Sequence, residues 1–165
     1  MKIIGVDPGL AKVGYSIVNK NGNSFSVVTY DTITTTNDNT DVERLGFIYD
    51  EITSVIEKFK PQHMAVEKLF FNKNVRTAIR VGQARGVLML AGSRTDLIVD
   101  EYTPLEVKQA VVGYGKASKR QVQEMVKALL NLDSVPDSDD AADALAVSLC
   151  HGHNFAVKDR WSEQL

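Results

Sequence analysis

Residues 2–9 read KIIGVDPG, a short apolar run that stops at a charged turn. Isoleucine and valine favour extended backbone, so residues 2–6 are predicted to form a strand. Asp7, Pro8 and Gly9 are typical of tight turns and are expected to end that strand. The carboxylate of Asp7 is therefore predicted to lie at the end of the first strand, where turn formation and a functional role both remain open.

The segment after this turn favours two more strands, over residues 12–19 and 24–35. They are joined through Asn21, Gly22 and Asn23, and Asn-Gly is a strong hairpin signal because both residues tolerate positive φ. The first three strands are therefore predicted to form an antiparallel meander.

Helical and extended segments alternate along the rest of the chain. The spacing of apolar residues predicts a helix over residues 40–59, a strand over 63–69, a helix over 74–91 and a strand over 96–102. Three more helices follow, beginning after Thr103, Ser118 and Ser138, and the last is expected to end at about His151. This order predicts a single α/β domain over residues 1–165, built on a five-stranded mixed sheet with three antiparallel strands and a parallel second half.

The composition is that of an ordinary globular protein, since 44% of the 165 residues are hydrophobic and 24% are charged. The apolar stretches are too short to span a membrane, and the opening residues do not have the pattern of a signal peptide. Cys150 is the single cysteine, so an intrachain disulfide is excluded and a cytoplasmic location is expected.

The net charge of −2 does not by itself suggest a partner, but the charges are unevenly placed. Residues 68–95 and 107–123 contain no acidic residue. Their basic residues are Lys68, Lys73, Arg76, Arg80, Arg85, Arg94, Lys108, Lys116, Lys119 and Arg120. Two solvated helix faces and a surface for a polyanion both explain this pattern.

Four acidic residues are candidates for a shared site. Asp7 ends the first strand, Glu67 lies on a strand predicted to be inside the sheet, and Asp140 and Asp143 are three apart on the last helix. Each has a structural explanation of its own: a turn, a strand end that reaches solvent, or a favourable charge near a helix N-terminus. Gathered in one place, four like charges need cations, and Mg²⁺ prefers such oxygen ligands. Together they predict a two-metal site able to hydrolyse a phosphodiester.

Five segments resemble the RuvC family of Holliday junction resolvases: IGVDPGLAKVGYSIV, VEKLFF, GQARGVLML, VKQAVVGYG and DDAADALAVSLCHGH. They cover essentially the whole chain in the family's order and spacing. The resemblance implies an RNase H-like fold and a Mg²⁺-dependent endonuclease that resolves four-way DNA junctions by paired symmetric nicks in recombination and repair. It also implies two Mg²⁺ ions per site, for which Mn²⁺ can substitute, a homodimer, and RuvA and RuvB as a branch-migration complex.

The resemblance also implies which residues act. The catalytic and metal-binding acids are Asp7 of V-D-P-G, Glu67 of V-E-K, and Asp140 and Asp143 of D-A-A-D, and the register of that last motif assigns Asp140 rather than Asp139. Phe70 matches the aromatic residue that wedges into the junction centre, although without the resemblance the sequence favours a hydrophobic cap over the next helix to base stacking.

Five basic residues are candidate DNA contacts. Lys108 and Lys119 match basic positions near the family's active site. Arg76 and Arg80 are four apart on one face of a predicted helix, and Lys116 lies in a glycine-rich loop.

His151 and His153 are not assigned a catalytic or metal-binding role. They are two apart, so they do not share a helix face, and they are expected to end the last helix.

Two symmetric cuts require two sites, which a two-fold dimer supplies. Its candidate interface is the helix over residues 74–91, which carries the small residues Ala78, Gly82, Ala84 and Gly86.

Three alternatives remain. A phosphotransferase of the actin-like superfamily needs two such domains, which 165 residues do not supply. Another RNase H-like nuclease, either YqgF-like or acting on RNA–DNA hybrids, would use the same acids. A junction-binding module without activity predicts an incomplete acid cluster, whereas all four acids are present.

Overall fold

The computed structural model describes residues 1–68 and 75–162, with the side chains of the last helix described as far as residue 155. The strands are β1 (Lys2–Asp7), β2 (Lys12–Asn21), β3 (Ser24–Thr34), β4 (His63–Glu67) and β5 (Ile98–Tyr102). The helices are α1 (Asp41–Phe59), α2 (Val75–Arg94), α3 (Pro104–Val112), α4 (Lys119–Leu130) and α5 (Asp139–Ser162). The strands form one sheet in the order β3-β2-β1-β4-β5. The predicted α/β fold with a five-stranded mixed sheet is confirmed.

The pairing of the strands follows the predicted pattern. β1 pairs antiparallel with β2, and β2 antiparallel with β3. β4 lies parallel to both β1 and β5. Since Val6 pairs with Val66 in the parallel register, the carboxyl ends of β1 and β4 lie side by side, and Asp7 and Glu67 are the last residues of these two strands.

The two faces of the sheet are covered by different helices. Alternate residues of β1 and β4 point to opposite faces, as the pleat requires. Ile3 and Ala65 pack with apolar residues of α3, α4 and α5, whereas Ile4 and Met64 pack with those of α1 and α2. Both cores consist mostly of buried aliphatic side chains, so the sheet is a rigid support for groups at its edges.

Helix α5 crosses β1 and β2 at very close range. The Ser16 hydroxyl donates a 2.9 Å hydrogen bond to the Ala144 carbonyl. A side chain on Gly5 would overlap Ala144 and Ser148, and one on Gly14 would overlap the backbone of Asp140. Glycine is therefore required in both strands for the start of α5 to lie against the sheet.

The helix starts agree with the predicted caps. Thr40, Thr103 and Ser118 each form a capping box with the residue three positions later. Ser138 caps α5, since its hydroxyl accepts from the Ala141 amide at 3.3 Å.

Several predicted boundaries were wrong. β4 ends at Glu67, so Lys68 lies outside the strand predicted over residues 63–69, and β2 continues to Asn21 rather than 19. α5 continues to Ser162, so His151 and His153 lie inside the helix rather than at its end. α2 continues to Arg94 rather than 91. β5 begins at Ile98, two residues late, because Asp96 has a left-handed φ of 57° that belongs to the preceding turn.

The small residues on α2 do not all face outward. Ala84 is fully buried in the chain's own core, so it is not available to a partner, whereas Gly86 faces open space. Among the residues that the structure describes, no helix is both long enough and apolar enough to cross a membrane.

Candidate active site

The structure brings together the four carboxylates that the sequence analysis singled out. Asp7 and Glu67 end the parallel neighbours β1 and β4. Asp140 and Asp143 lie in the first turns of α5, and the backbone of Asp140 lies against Gly14, the residue that pairs with Asp7 in the sheet. Two strand ends and one helix start therefore meet at a single edge.

The electrostatics of this edge centre on Asp7. Burial, followed by the charges of Glu67, Asp143 and Asp140, raises the pKa of Asp7 from 3.8 to about 8. Burial and the charge of Asp143 raise the pKa of Glu67 from 4.5 to about 7. Burial also raises the pKa of Asp143, in opposition to Lys119. Crowded carboxylates of this kind favour either protons or cations in their midst.

Lys119 is the cation that contacts this group. Its Nζ donates to Asp143 Oδ2 at 3.0 Å and lies 3.2 Å from Asp139 Oδ2. Asp139 also accepts a 2.7 Å hydrogen bond from Gln123, and its side chain is 66% exposed. Asp139 thus faces α4 and solvent, whereas the charges of Asp140 and Asp143 both raise the pKa of Asp7.

A cleft of about 220 Å³ opens beside these acids. Its polar lining is Glu67 and Asp143 together with Lys108 and Lys119. Its apolar lining is Pro104, Val107, Val122 and Ala146. Two carboxylates and two ammonium groups therefore face the same space, which suits a ligand that carries both a metal ion and an anionic group.

A second cleft, of about 460 Å³, has Asp140 in its lining. Lys12, Arg44 and Arg80 supply its cations. Lys12 and Arg44 were not assigned a role from the sequence, because they belong to separate elements and only the fold brings them together. The buried side chain of Arg44 donates from Nε to the Thr35 hydroxyl at 2.8 Å, which fixes its position at the cleft wall.

The remaining candidate DNA contacts lie in different surroundings. Arg76 on α2 and Lys116 in the loop between α3 and α4 are exposed. Arg80 is engaged by Asp41, with 2.9 Å between Nε and Oδ2. Phe70 lies outside the described residues.

Comparison with known proteins agrees with this geometry. The family model described as "Crossover junction endodeoxyribonuclease RuvC" matches residues 3–151. A protein of that name from Halothermothrix orenii is 57% identical over 161 residues, which are 98% of each chain. Another from Ruminiclostridium cellulolyticum is 52% identical over 157 residues, 95% of each chain.

Solved structures of RuvC proteins are also similar to this chain. The Thermus thermophilus RuvC in complex with a Holliday junction substrate superposes with a TM-score of 0.91 at 32% identity, covering 96% of both chains. A second Thermus thermophilus RuvC structure gives a TM-score of 0.88. With an RNase H-like fold, the family's motifs in order and a match over nearly the whole length, the chain belongs to the RuvC family of crossover junction endodeoxyribonucleases.

Proposed function

We propose that this chain is a metal-dependent endonuclease that resolves four-way DNA junctions by paired, symmetric nicks in recombination and repair. The observation that carries the proposal is the group of carboxylates around Asp7, beside a cleft lined by two lysines. The Thermus thermophilus relative was solved with a Holliday junction substrate, which supports this class of substrate. We assign the catalytic and metal-binding roles to Asp7, Glu67, Asp140 and Asp143.

The donor chemistry of this site fits Mg²⁺. The pKa values of Asp7 and Glu67 are raised to about 8 and about 7 because negative groups crowd one another in a partly desolvated place. Hard divalent ions prefer oxygen ligands and relieve this repulsion; Mn²⁺ takes the same ligands and is expected to substitute. When bound, two such ions supply an activated water and stabilise charge on the phosphodiester oxygens.

The two lysines of the cleft have distinct tasks in this proposal. Lys119 orients Asp143 through its 3.0 Å hydrogen bond. Lys119 and Lys108 also oppose the burial and the negative charge that raise the pKa of Glu67, and so favour its ionised form. Both ammonium groups face the cleft, where they would stabilise negative charge that develops on the scissile phosphate.

The surrounding basic residues are proposed to hold the DNA backbone. Arg76 and Lys116 are exposed and available to phosphates. Arg80 would have to exchange Asp41 for a phosphate, which costs little because exposed ion pairs contribute at most about 1 kcal/mol. Phe70, assigned from its motif alone, is proposed to stack on an unpaired base at the junction centre.

A homodimer is part of the proposal, because one acid cluster makes one cut and a four-way junction needs two in symmetric strands. Helix α2 remains the candidate interface, since its apolar side chains Val75, Ile79 and Leu90 are exposed on the single chain. RuvA and RuvB are proposed as a branch-migration partner on the family resemblance.

The test is a cleavage assay on three substrates: a synthetic four-way junction, a linear duplex of matching sequence, and an RNA–DNA hybrid. We expect paired nicks in the junction with Mg²⁺ and none after chelation. Equal cutting of junction and duplex would overturn the substrate assignment. Preferred cutting of the hybrid would favour the alternative, another RNase H-like nuclease that uses the same acids. Light scattering of the purified protein tests the dimer, which a monomer at working concentration would contradict.

A further inference from the structure

A second group of potential metal ligands lies away from the catalytic carboxylates. His63 begins β4, Asp100 lies on β5 and His151 lies on α5. One ligand atom from each of the three residues lies within 4.8 Å of the other two. His63 and Glu67 are at opposite ends of β4, four residues and about 13 Å apart. The group is therefore a separate place in the fold.

The burial of this group favours a bound ligand. His63 is 6% exposed and His151 is 0% exposed. Among the residues that the structure describes, Nδ1 of His63 is buried without a hydrogen-bond partner. A buried polar atom without a partner is energetically unfavourable, and coordination to a metal ion would offset that cost.

The donor atoms of these residues suit coordination of a metal ion. Two imidazoles and one carboxylate are a donor set that Zn²⁺ takes in proteins, usually with a water molecule as the fourth ligand. Asp100 is the solvent-facing member, with a side chain 27% exposed, and gives an ion access from outside.

The neighbouring residues support the same geometry. His151 Nδ1 lies 2.9 Å from the Tyr102 hydroxyl, so its ring is held in place by a partner of the kind that orients ligating histidines. Phe155 packs edge-on against His63 at 4.7 Å between ring centroids and forms an apolar wall. In a tetrahedral zinc site donor atoms are about 3.4 Å apart, a contraction that small side-chain rotations supply.

We propose that His63, Asp100 and His151 form a Zn²⁺ site that fastens α5 to β4 and β5 at the end of the sheet remote from the catalytic edge. The ion would cross-link the C-terminal helix to the two parallel strands, and its contribution would be to stability rather than to cleavage. The position of His151 favours this role, because eight residues, or about 12 Å of helix, separate it from Asp143.

The test measures zinc retained by the full-length protein after loading with ZnSO₄ and desalting in excess Mg²⁺, which occupies the carboxylate site. We expect one Zn²⁺ per chain in the wild type. His63→Phe and Asp100→Asn should weaken zinc binding by more than the roughly 10- to 100-fold that follows loss of contacts behind a ligand. His153→Gln is the matched control, because this nearby histidine of α5 stacks on Phe25, and it should retain the metal.

A second readout separates this site from the carboxylates. Co²⁺ in a four-coordinate site with histidine ligands gives intense visible absorption, whereas an all-oxygen octahedral site does not; we expect the intense bands in wild type and His153→Gln only. Zinc should also raise the Tm of the wild type but not that of Asp100→Asn. If His63→Phe fails to fold, the result for Asp100→Asn is used instead, since this replacement is isosteric and Asp100 is partly exposed. A wild-type chain without retained zinc, or variants that retain it fully, would overturn the proposal.

Discussion

Lys119 Nζ lies 3.0 Å from Asp143 Oδ2 and thereby joins the first turn of α4 to the carboxylate site on α5. A lysine at the first position of a helix is electrostatically unfavourable, because the helix N-terminus is itself positive. Asp143 and Asp139 offset that cost by accepting from the same ammonium group. The placement makes better sense for a group that serves the cleft than for one that stabilises α4.

Replacement of Lys119 by glutamine should therefore lower catalysis. The variant keeps a polar side chain but removes the positive charge that faces the cleft and orients Asp143. We expect the single-turnover rate on a four-way junction to fall about 100-fold or more, the usual consequence of losing one group that stabilises transition-state charge. Lys127→Gln, in the last turn of the same helix, is the control and should cut at the wild-type rate. Equal rates for both variants would remove Lys119 from the proposed machinery.

Asp7→Asn should abolish cutting and spare binding. Asp7 is the carboxylate on which the charges of Glu67, Asp143 and Asp140 converge, so its amide replacement removes the central carboxylate of the proposed metal site while preserving shape. We expect the nicking rate to fall by more than about 1000-fold, because removal of one residue from a group of catalytic residues that act together usually causes a loss of this size. Junction binding in a gel-shift assay should remain. Asp50→Asn, exposed on α1, should leave both unchanged; normal cutting by Asp7→Asn would contradict the mechanism.

The stability of the metal-free protein should fall as pH rises. The pKa of Asp7 is raised from 3.8 to about 8 in the folded chain, so between these values the folded state binds more protons than the unfolded state. Stability from this group is therefore complete below pH 3.8, declines through the neutral range and is lost above about pH 8. Asp7→Asn should show a shallower decline.

Thermal melts with EDTA and with Mg²⁺ across this pH range check the expectation. The rise in Tm that Mg²⁺ causes should be larger at pH 8 than at pH 5.5, because the ion competes with protons for the carboxylates. Parallel pH profiles for wild type and Asp7→Asn would show that the carboxylate at this position does not control stability.

Much of the fold and of the acid group could be predicted from local sequence. Asp7 and Glu67 each follow a short apolar run, and the strand–helix–strand order predicts that β4 and β5 are parallel. The parallel pairing of β1 with β4, which places the two acids at one edge, is visible only in the structure. The three capping boxes mark helix starts because their hydrogen bonds are made within four residues. These features depend on residues that are close in the sequence, and so they can be predicted without knowledge of the fold.

The features that could not be predicted from the sequence depend on tertiary contacts. α5 passes through Gly152, a residue that disfavours helix, but the ring of Phe25 occupies the space where a side chain at Gly152 would lie. His151 packs against His63 and Tyr102, residues far from it in the sequence, so local spacing does not reveal these contacts. The cleft beside Asp140 also depends on tertiary contacts, since Lys12, Arg44 and Arg80 belong to three different elements.

Lys12 is predicted to contact a phosphate of the junction. It is exposed at the start of β2 and lines the cleft next to Asp140. Lys12→Gln should weaken junction binding and reduce the slope of log affinity against log salt by about 1, as expected when one phosphate contact is lost. Lys58→Gln, at the far end of α1, is the control. An unchanged slope for Lys12→Gln would mean that Lys12 does not contact a phosphate of the junction.

Gly14→Ala should damage both the fold and the site, because a methyl group at this position overlaps the backbone carbonyl of Asp140. Backbone cannot yield as a flexible side chain can, so α5 must move away from β2 and carry Asp140 and Asp143 with it. We expect a loss of about 1–3 kcal/mol in the free energy of unfolding, typical of overpacking, and a fall in junction nicking that excess Mg²⁺ restores only in part. Gly46→Ala is the matched control, since Gly46 lies in α1 with open space around it and alanine there should stabilise the helix by up to about 1 kcal/mol. Urea unfolding and nicking measured on both variants decide the matter: wild-type stability and activity in Gly14→Ala would mean that the close approach of α5 to the sheet is not what positions the carboxylates.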